Sequence, residues 1–364
     1  MKRAIHLAAL AGVAALVLSA CGQAPTNNAG GGSTGTASPK SDFVACMVSD
    51  EGGFDDQSFN QSGHDGLVDA QDKLGITIHA VESSADTDYA PNIDNLVQQG
   101  CNLIIGVGFK LEDPIQAAAE ANPDINFALI DSSFSDANFN PVTIKNAKPI
   151  LFNTSEAAFL AGYLAGGMTE SGTVATFGGM QIPSVSVFMD GFYDGVQQYN
   201  KDNGKSVKVL GWDKAKQTGS FTGDFTNQAN GQNLAQGFID QGADIIMPVA
   251  GPVGLGAAAA ASDAGKKIIW VDADGFLTTE HGDIIITSVM KQIGPAVFDV
   301  IKAASEGNFS SEPYIGTLEN NGVGLAPFHN FESKVPAELS QKIDDYKQKI
   351  ISGELKIESP NSPK

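Results

Sequence analysis

Between positions 49 and 66 the chain reads Ser49-Asp50-Glu51-Gly52-Gly53-Phe54-Asp55-Asp56-Gln57-Ser58-Phe59-Asn60-Gln61-Ser62-Gly63-His64-Asp65-Gly66. Two adjacent glycines let a tight loop bring its backbone close to a ligand. Asp55 and Asp56 precede a helix for which Ser58 is the expected N-cap. Asn60 and Gln61 place amide donors and acceptors in its first turn. This is chemistry for capture by hydrogen bonds, or for capping alone. Groupings that would break bonds are missing. The histidines at 6, 64, 79, 281 and 329 have no metal-ligand spacing. No cysteine stands as a nucleophile beside a histidine. Asp272-Ala273-Asp274-Gly275 lacks the spacing and terminal acid of a calcium loop. Asp50 with Asp55 and Asp56 finds no further residue to complete a glycosidase site. We therefore expect no catalytic residue, no metal and no cofactor.

Composition narrows the partners. The formal net charge is -20, and removal of Lys2 and Arg3 with a leader would take it to -22. Arg3 is the only arginine, so the remaining chain has no guanidinium for a bidentate grip on phosphate or carboxylate. Nucleic acid is excluded as a partner, because it needs clustered positive charge. Nucleotides and free amino acids are disfavoured; neutral or cationic small molecules remain.

The N-terminus carries Lys2 and Arg3, then an apolar stretch over 4–18, closing on Leu18-Ser19-Ala20-Cys21. This is the three-part form of a signal peptide, too short for a stable membrane span. Small residues before a cysteine suit lipoprotein processing, which would place a diacylglycerol on the Cys21 thiol. Residues 22–40 are Gly, Ser, Thr, Asn, Ala and Pro with little else, a composition that cannot bury a core and reads as a tether. Cys46 and Cys101 remain, each on an apolar strand-like run. Outside the cytoplasm they could form a disulfide; as free thiols they would be small buried hydrophobes.

From 42 onward short apolar runs alternate with helix-period segments. Strands are expected at 43–48, 76–81, 103–107 and 127–130, with helices at 58–73, 90–99 and 114–121 between them. After a connection over 141–149 the cycle resumes, with helices at 156–168, 185–200, 227–240 and 256–264 and strands at 173–177, 207–212, 244–249 and 268–272. Strand–helix alternation implies two doubly wound parallel sheets of the α/β class, with a cleft at their strand ends.

The segment 55–61, Asp-Asp-Gln-Ser-Phe-Asn-Gln, resembles the Asp-Asp/Asn-Lys-Ser-Phe-Asn-Gln signature of the basic membrane protein (BMP) family, substrate-binding lipoproteins of ABC importers. Further motifs in the family's order are Gly106-Val107-Gly108-Phe109, Phe127-Ala128-Leu129-Ile130-Asp131 and Glu156-Ala157-Ala158-Phe159-Leu160-Ala161-Gly162. Gly178-Gly179-Met180-Gln181-Ile182-Pro183, Ala250-Gly251-Pro252-Val253-Gly254, Val271-Asp272-Ala273-Asp274 and Thr287-Ser288-Val289-Met290-Lys291 follow. The resemblance implies the type I periplasmic-binding-protein fold, two lobes joined by three crossing strands around a hinge. It implies a purine nucleoside as ligand, permease subunits as partners and a monomer held at the outer membrane face by lipid. The divisions that follow are a leader at 1–20, lipidated cysteine and tether at 21–41, and a binding domain at 42–355. Within it, lobe one takes about 42–147 plus 273–308, and lobe two about 148–272 plus the C-terminal segment, leaving 356–364 as a tail.

The resemblance also implies roles. Asp131 would read the base edge, with capping of the turn at Ser132-Ser133 as its alternative. Asp272 and Lys291 would hold the ribose hydroxyls, and Asp274 would bond local backbone. Asp55, Asn60, Gly251 and Gly254 would complete the pocket. His64 takes a place where relatives carry a bulky aromatic, and Met247 one where they carry phenylalanine, so these two are the expected stacking groups, helped by Phe59, Phe109 or Phe188. Other neutral heterocycles or sugars are the alternative ligands, and a surface lipoprotein with an enzymatic or adhesive role the alternative class.

Overall fold

Apolar strands such as Leu-Ile-Ile-Gly-Val at Leu103–Val107 are buried on both faces, and this requires helices above and below the sheet. The computed structural model describes residues 42–138 and 140–364 and builds two such sandwiches. The leader, Cys21 and the tether up to 41 lie outside the described residues. The first sheet runs Tyr314–Gly316, Ala147–Phe152, Asn126–Ile130, Leu103–Val107, Val44–Val48, Thr77–Val81, all parallel. The second runs Val323–Leu325, Ile285–Lys291, Lys267–Asp272, Ile245–Val249, Thr173–Gly178, Lys208–Leu210, parallel except for its first pair.

The chain crosses between lobes three times: after Ala147–Phe152, after Ile285–Lys291, and between Tyr314–Gly316 and Val323–Leu325. Two expectations change here. The connection placed over 141–149 contains the start of the strand Ala147–Phe152, which tolerates Pro149 within it. The return to lobe one comes at about residue 292, not 273. Ile285–Lys291 is apolar enough to be buried in the second sheet beside Lys267–Asp272, so it stays with lobe two. Only the next helix, Ile293–Ser305, packs on lobe one, against Phe59–Leu74. There Gly66 allows backbone contact: a Cβ at that position would stand 2.3 Å from the Gly294 carbonyl oxygen. The final helix, Ala337–Ile351, lies on lobe two, with Leu339 against Gly167. The tail returns to the same lobe, where buried Asp190 accepts from Ser359 Oγ at 2.6 Å and Asn361 Nδ2 at 2.9 Å. No described helix is long and apolar enough to cross a membrane.

Cys46 lies in the strand Val44–Val48, Cys101 just ahead of Leu103–Val107, and those strands are paired neighbours. The two cysteines are joined by a disulfide, with Cα atoms 6.0 Å apart. It closes a loop of 55 residues, for which the chain-entropy argument gives about 4 kcal/mol of stabilisation. Changing both to alanine should therefore lower the unfolding free energy by about 2–4 kcal/mol in urea titrations while the far-UV spectrum persists. An unchanged midpoint would show that the bond contributes nothing to stability.

Candidate functional site

Parallel strands end on the same side of each sheet, and the two sheets aim those ends at each other. From lobe one come Asp50 after Val44–Val48, Gly108-Phe109 after Leu103–Val107, and Asp131 after Asn126–Ile130. From lobe two come Ala250-Gly251-Pro252 after Ile245–Val249, Asp272 ending Lys267–Asp272, and Lys291 ending Ile285–Lys291. They line one cleft of about 570 Å³, counting its open mouth. Phe59, Phe109, Phe188 and Phe225 are its aromatic walls, and the Phe109 and Phe225 rings meet edge-on with centroids 6.4 Å apart.

Two polar sets share this cleft. In the first, the Lys291 ammonium donates to Asp131 Oδ2 and stands 3.4 Å from Asp272 Oδ1, with all three side chains nearly free of solvent. It also lies 5.0 Å from the Phe59 ring centroid and 5.1 Å from that of Phe188. Burial alone would pull the lysine pKa down, but the two carboxylates more than offset this and hold it above the ordinary value. Asp131 and Asp272 occupy corresponding strand ends, and both adopt left-handed backbone, φ 66° and 68°. Such a conformation is costly for a non-glycine residue and turns each carboxylate off the strand line. Asp272 also takes a 3.2 Å hydrogen bond from Ser58 Oγ across the lobes, yet its Oδ1 is buried with no hydrogen bond.

The second set is the helix start. Asp56 accepts from the backbone N–H of Ser58, Asn60 and Gln61 at 3.0, 2.9 and 3.0 Å, and so does the capping expected of Ser58. Asn60 Nδ2 donates to Asp50 Oδ1 at 2.8 Å and Asp56 Oδ2 at 3.2 Å. Its Oδ1 is left buried without a partner. Burial pushes the Asp50 carboxyl up to about 6, and burial likewise raises that of Asp56.

Of the positions singled out in the sequence, Asn60, Asp131, Gly251, Asp272 and Lys291 meet in the cleft. Asp55, His64, Met247 and Gly254 do not. Asp55 is exposed, and its neighbour Asp56 faces inward instead, a shift of one residue in a loop without periodicity. His64 stacks on Phe54, centroids 4.6 Å apart, because Gly63 is the residue that the helix turns toward Met47, Val107 and Ile130. Met247 is wholly buried in mid-strand, two residues short of the cleft. Gly254 makes room for the Trp270 ring, 3.1 Å from where its Cβ would be. The rings that do line the cleft are Phe59, Phe109 and Phe188, together with Phe225, which sits in a polar stretch with no periodic signal. Asp50 and Asp56 were also missed as cleft residues, although the run Asp56-x-Ser58-x-Asn60 is a capping pattern. Lys291 bonds Asp131 as well as approaching Asp272, so the three make one anchor rather than two. Asp274 caps Phe276 locally at 3.2 Å, as expected of it.

A family model described as ABC transporter substrate-binding protein, PnrA-like, matches residues 43–361. The chain is 29% identical to the CD4+ T-cell-stimulating antigen of Listeria innocua, covering 100% of both chains. It is 28% identical to the ABC transporter nucleoside-binding protein BmpA of Lactococcus lactis, over 98% of this chain and 99% of that one. Among solved structures, an ABC transporter solute-binding protein from Aeropyrum pernix K1 superposes with a TM-score of 0.77 at 25% identity, covering 87% and 94% of the two chains.

The buried triad makes a specific demand. Lys291→Met would leave two carboxylates facing each other out of water, and removing one partner of such a group costs about 3–5 kcal/mol. The loss should be largest near neutral pH and shrink as pH falls, since one carboxylate can then take up a proton. Adding Asp131→Asn to Lys291→Met should recover part of it. Thermal melts across pH check this, and a pH-independent loss would show that packing alone is involved.

Proposed function

Because the chain belongs to the family of PnrA-like ABC transporter substrate-binding proteins, we propose that its cleft captures a purine nucleoside and hands it to the permease of an importer. The observation that carries the reading is a pair of buried acceptors that lack a hydrogen bond, Asn60 Oδ1 and Asp272 Oδ1, the latter facing only the Lys291 ammonium at 3.4 Å, in a cleft walled by phenylalanines. A ligand that fits must be flat in part and must bring donors of its own to two places. A purine nucleoside does both. An N–H of its base, on the ring or on an amino group, suits the Asn60 carbonyl. Its vicinal hydroxyls suit the Asp131–Lys291–Asp272 anchor, where carboxylates accept and the ammonium donates to the same oxygens. The relative named for nucleoside binding supports the same class. In this reading Asp131 serves the sugar with Asp272, and the base meets Asn60 and its carboxylate neighbours. In this reading the ligand leaves unchanged.

The leader 1–20 and Cys21 complete the proposal, with a lipid on the cysteine keeping a monomeric domain at the outer membrane face beside the permease. Cys21→Ala should release the protein into the aqueous phase of a detergent partition with ligand affinity unchanged. Retention of that variant in the detergent phase would refute the anchor.

Charge gives the second test. Asp50, Asp56, Asp131 and Asp272 line the cleft against the single cation Lys291. A nucleoside should bind at least about tenfold, or 1.4 kcal/mol, more tightly than its monophosphate. Calorimetry showing equal or tighter binding of the monophosphate would overturn the nucleoside reading.

A further inference from the structure

We propose that Asp50 sets the base selectivity of the cleft, by fixing the Asn60 amide so that this wall offers acceptors only and by adding its own free oxygen to that wall. The inference rests on the nucleoside reading and goes beyond it, to which purine is chosen and at what pH.

The Asn60 side chain has two amide hydrogens, and each has a carboxylate: Asp50 Oδ1 at 2.8 Å and Asp56 Oδ2 at 3.2 Å. Turning the amide over would set its carbonyl against both carboxylates, so the orientation is determined by chemistry. The carbonyl oxygen is thereby left for the ligand, buried and unpartnered. Asp56 has nothing more to give, since its oxygens already accept from three backbone N–H groups and the amide. Asp50 does. Its Oδ1 takes Asn60 and the Gly52 N–H at 3.1 Å, and Oδ2 is its remaining acceptor. Gly108 keeps that oxygen clear: φ is +103°, and a Cβ there would stand 2.5 Å from Asp50 Oδ2.

Two neighbouring donors satisfy such a wall, as on the guanine edge, where the ring N1–H stands beside the 2-amino group. Adenine offers one donor, its 6-amino group, and sets an unprotonated ring nitrogen against the other acceptor; hypoxanthine offers only its ring N–H. A site built to receive a donor rejects an analogue lacking it far more strongly than an apolar pocket rejects a missing methylene.

The wall is also tied to pH. Burial raises the Asp50 carboxyl to about 6; the Asn60 and Gly52 donors pull it down, Asp56 pushes it up and Lys110 pulls it down. Lys110 is itself shared with Glu51 at 3.1 Å and Asp86 at 2.9 Å, and buried Tyr89 faces the same acids. Above about 6 the carboxylate accepts; below it the acid carries a proton and can donate to adenine's ring nitrogen. Preference for guanine over adenine should therefore narrow as pH falls.

The experiment titrates inosine, guanosine and adenosine into the wild type and Asp50→Asn, at about pH 7.5 and about pH 5. The asparagine can keep an acceptor on Asn60 Nδ2 while putting an NH2 where the free oxygen was, and so imitates the protonated acid. Wild type should prefer guanosine over adenosine by more than about tenfold at the higher pH and less at the lower, with inosine between them. The variant should show the smaller ratio at both, with no step. Equal weakening of all three nucleosides, or an unaltered ratio and pH profile, would overturn the proposal. The wild-type pH series decides it alone if the variant does not fold. Wild type that binds nucleosides without discrimination refutes this inference only; wild type that binds none refutes the function as well.

Discussion

A lysine ammonium buried between carboxylates from two lobes is the constraint on which the rest of this structure depends. Lys291 ends a strand of the second sheet, Asp131 follows a strand of the first, and Asp272 ends the strand beside Lys291. None of the three could be buried singly, because an unpaired charge out of water costs several kcal/mol or more. Together they can be, and only with the lobes facing. The two left-handed aspartates are part of the same arrangement, since an extended backbone would carry their carboxylates along the strand instead of onto the ammonium. Ser58 reaching Asp272, and Thr278 donating to the Gln57 carbonyl at 3.0 Å, tie the same faces together nearby.

That constraint explains which parts of the molecule were legible in its sequence. The sheets were legible because doubly buried strands must be continuous apolar runs, and helices that cover them must repeat at helical spacing. The ends of those runs face the cleft for the same reason, and it was the family resemblance that singled out Asp131, Asp272 and Gly251 there. What periodicity does not encode was lost. Asp55 and Asp56 are chemically identical neighbours in a loop, and only the backbone hydrogen bonds of the helix start decide which turns inward. His64 and Met247 were inferred from what relatives carry at those places. Here a glycine faces the strands ahead of His64, and Met247 is two residues too deep. The lobe boundary was misjudged because Ile285–Lys291 gives the same apolar signal in either sheet; its partner strand is a matter of topology.

The charge balance of the whole chain and the chemistry of the cleft tell one story at two scales. A protein whose one arginine is Arg3, and whose charges sum to -20, has no guanidinium in its binding domain to grip phosphate. Its cleft supplies four carboxylates, one lysine and an amide held with its oxygen inward. Such a surface suits neutral, donor-bearing molecules better than anions, so on the proposed reading specificity arises as much from what the cleft refuses as from what it binds.

The cleft is also unfinished. Asn60 Oδ1 is buried with no partner, Asp272 Oδ1 faces the Lys291 ammonium at 3.4 Å without a hydrogen bond, and an unmet buried polar group costs about 1–3 kcal/mol. Those costs are borne by the folded protein and recovered when a ligand brings N–H or O–H groups, so much of the binding energy lies in completing hydrogen bonds the fold leaves open. The same argument runs in reverse at release. Parting the lobes would separate Lys291 from Asp131 but admit water to both, replacing a buried pair by hydrated ions. Opening is therefore far less costly than breaking that pair in the closed state would be, and with only three crossings between the lobes a receiver and its ligand can come apart without unfolding either sheet.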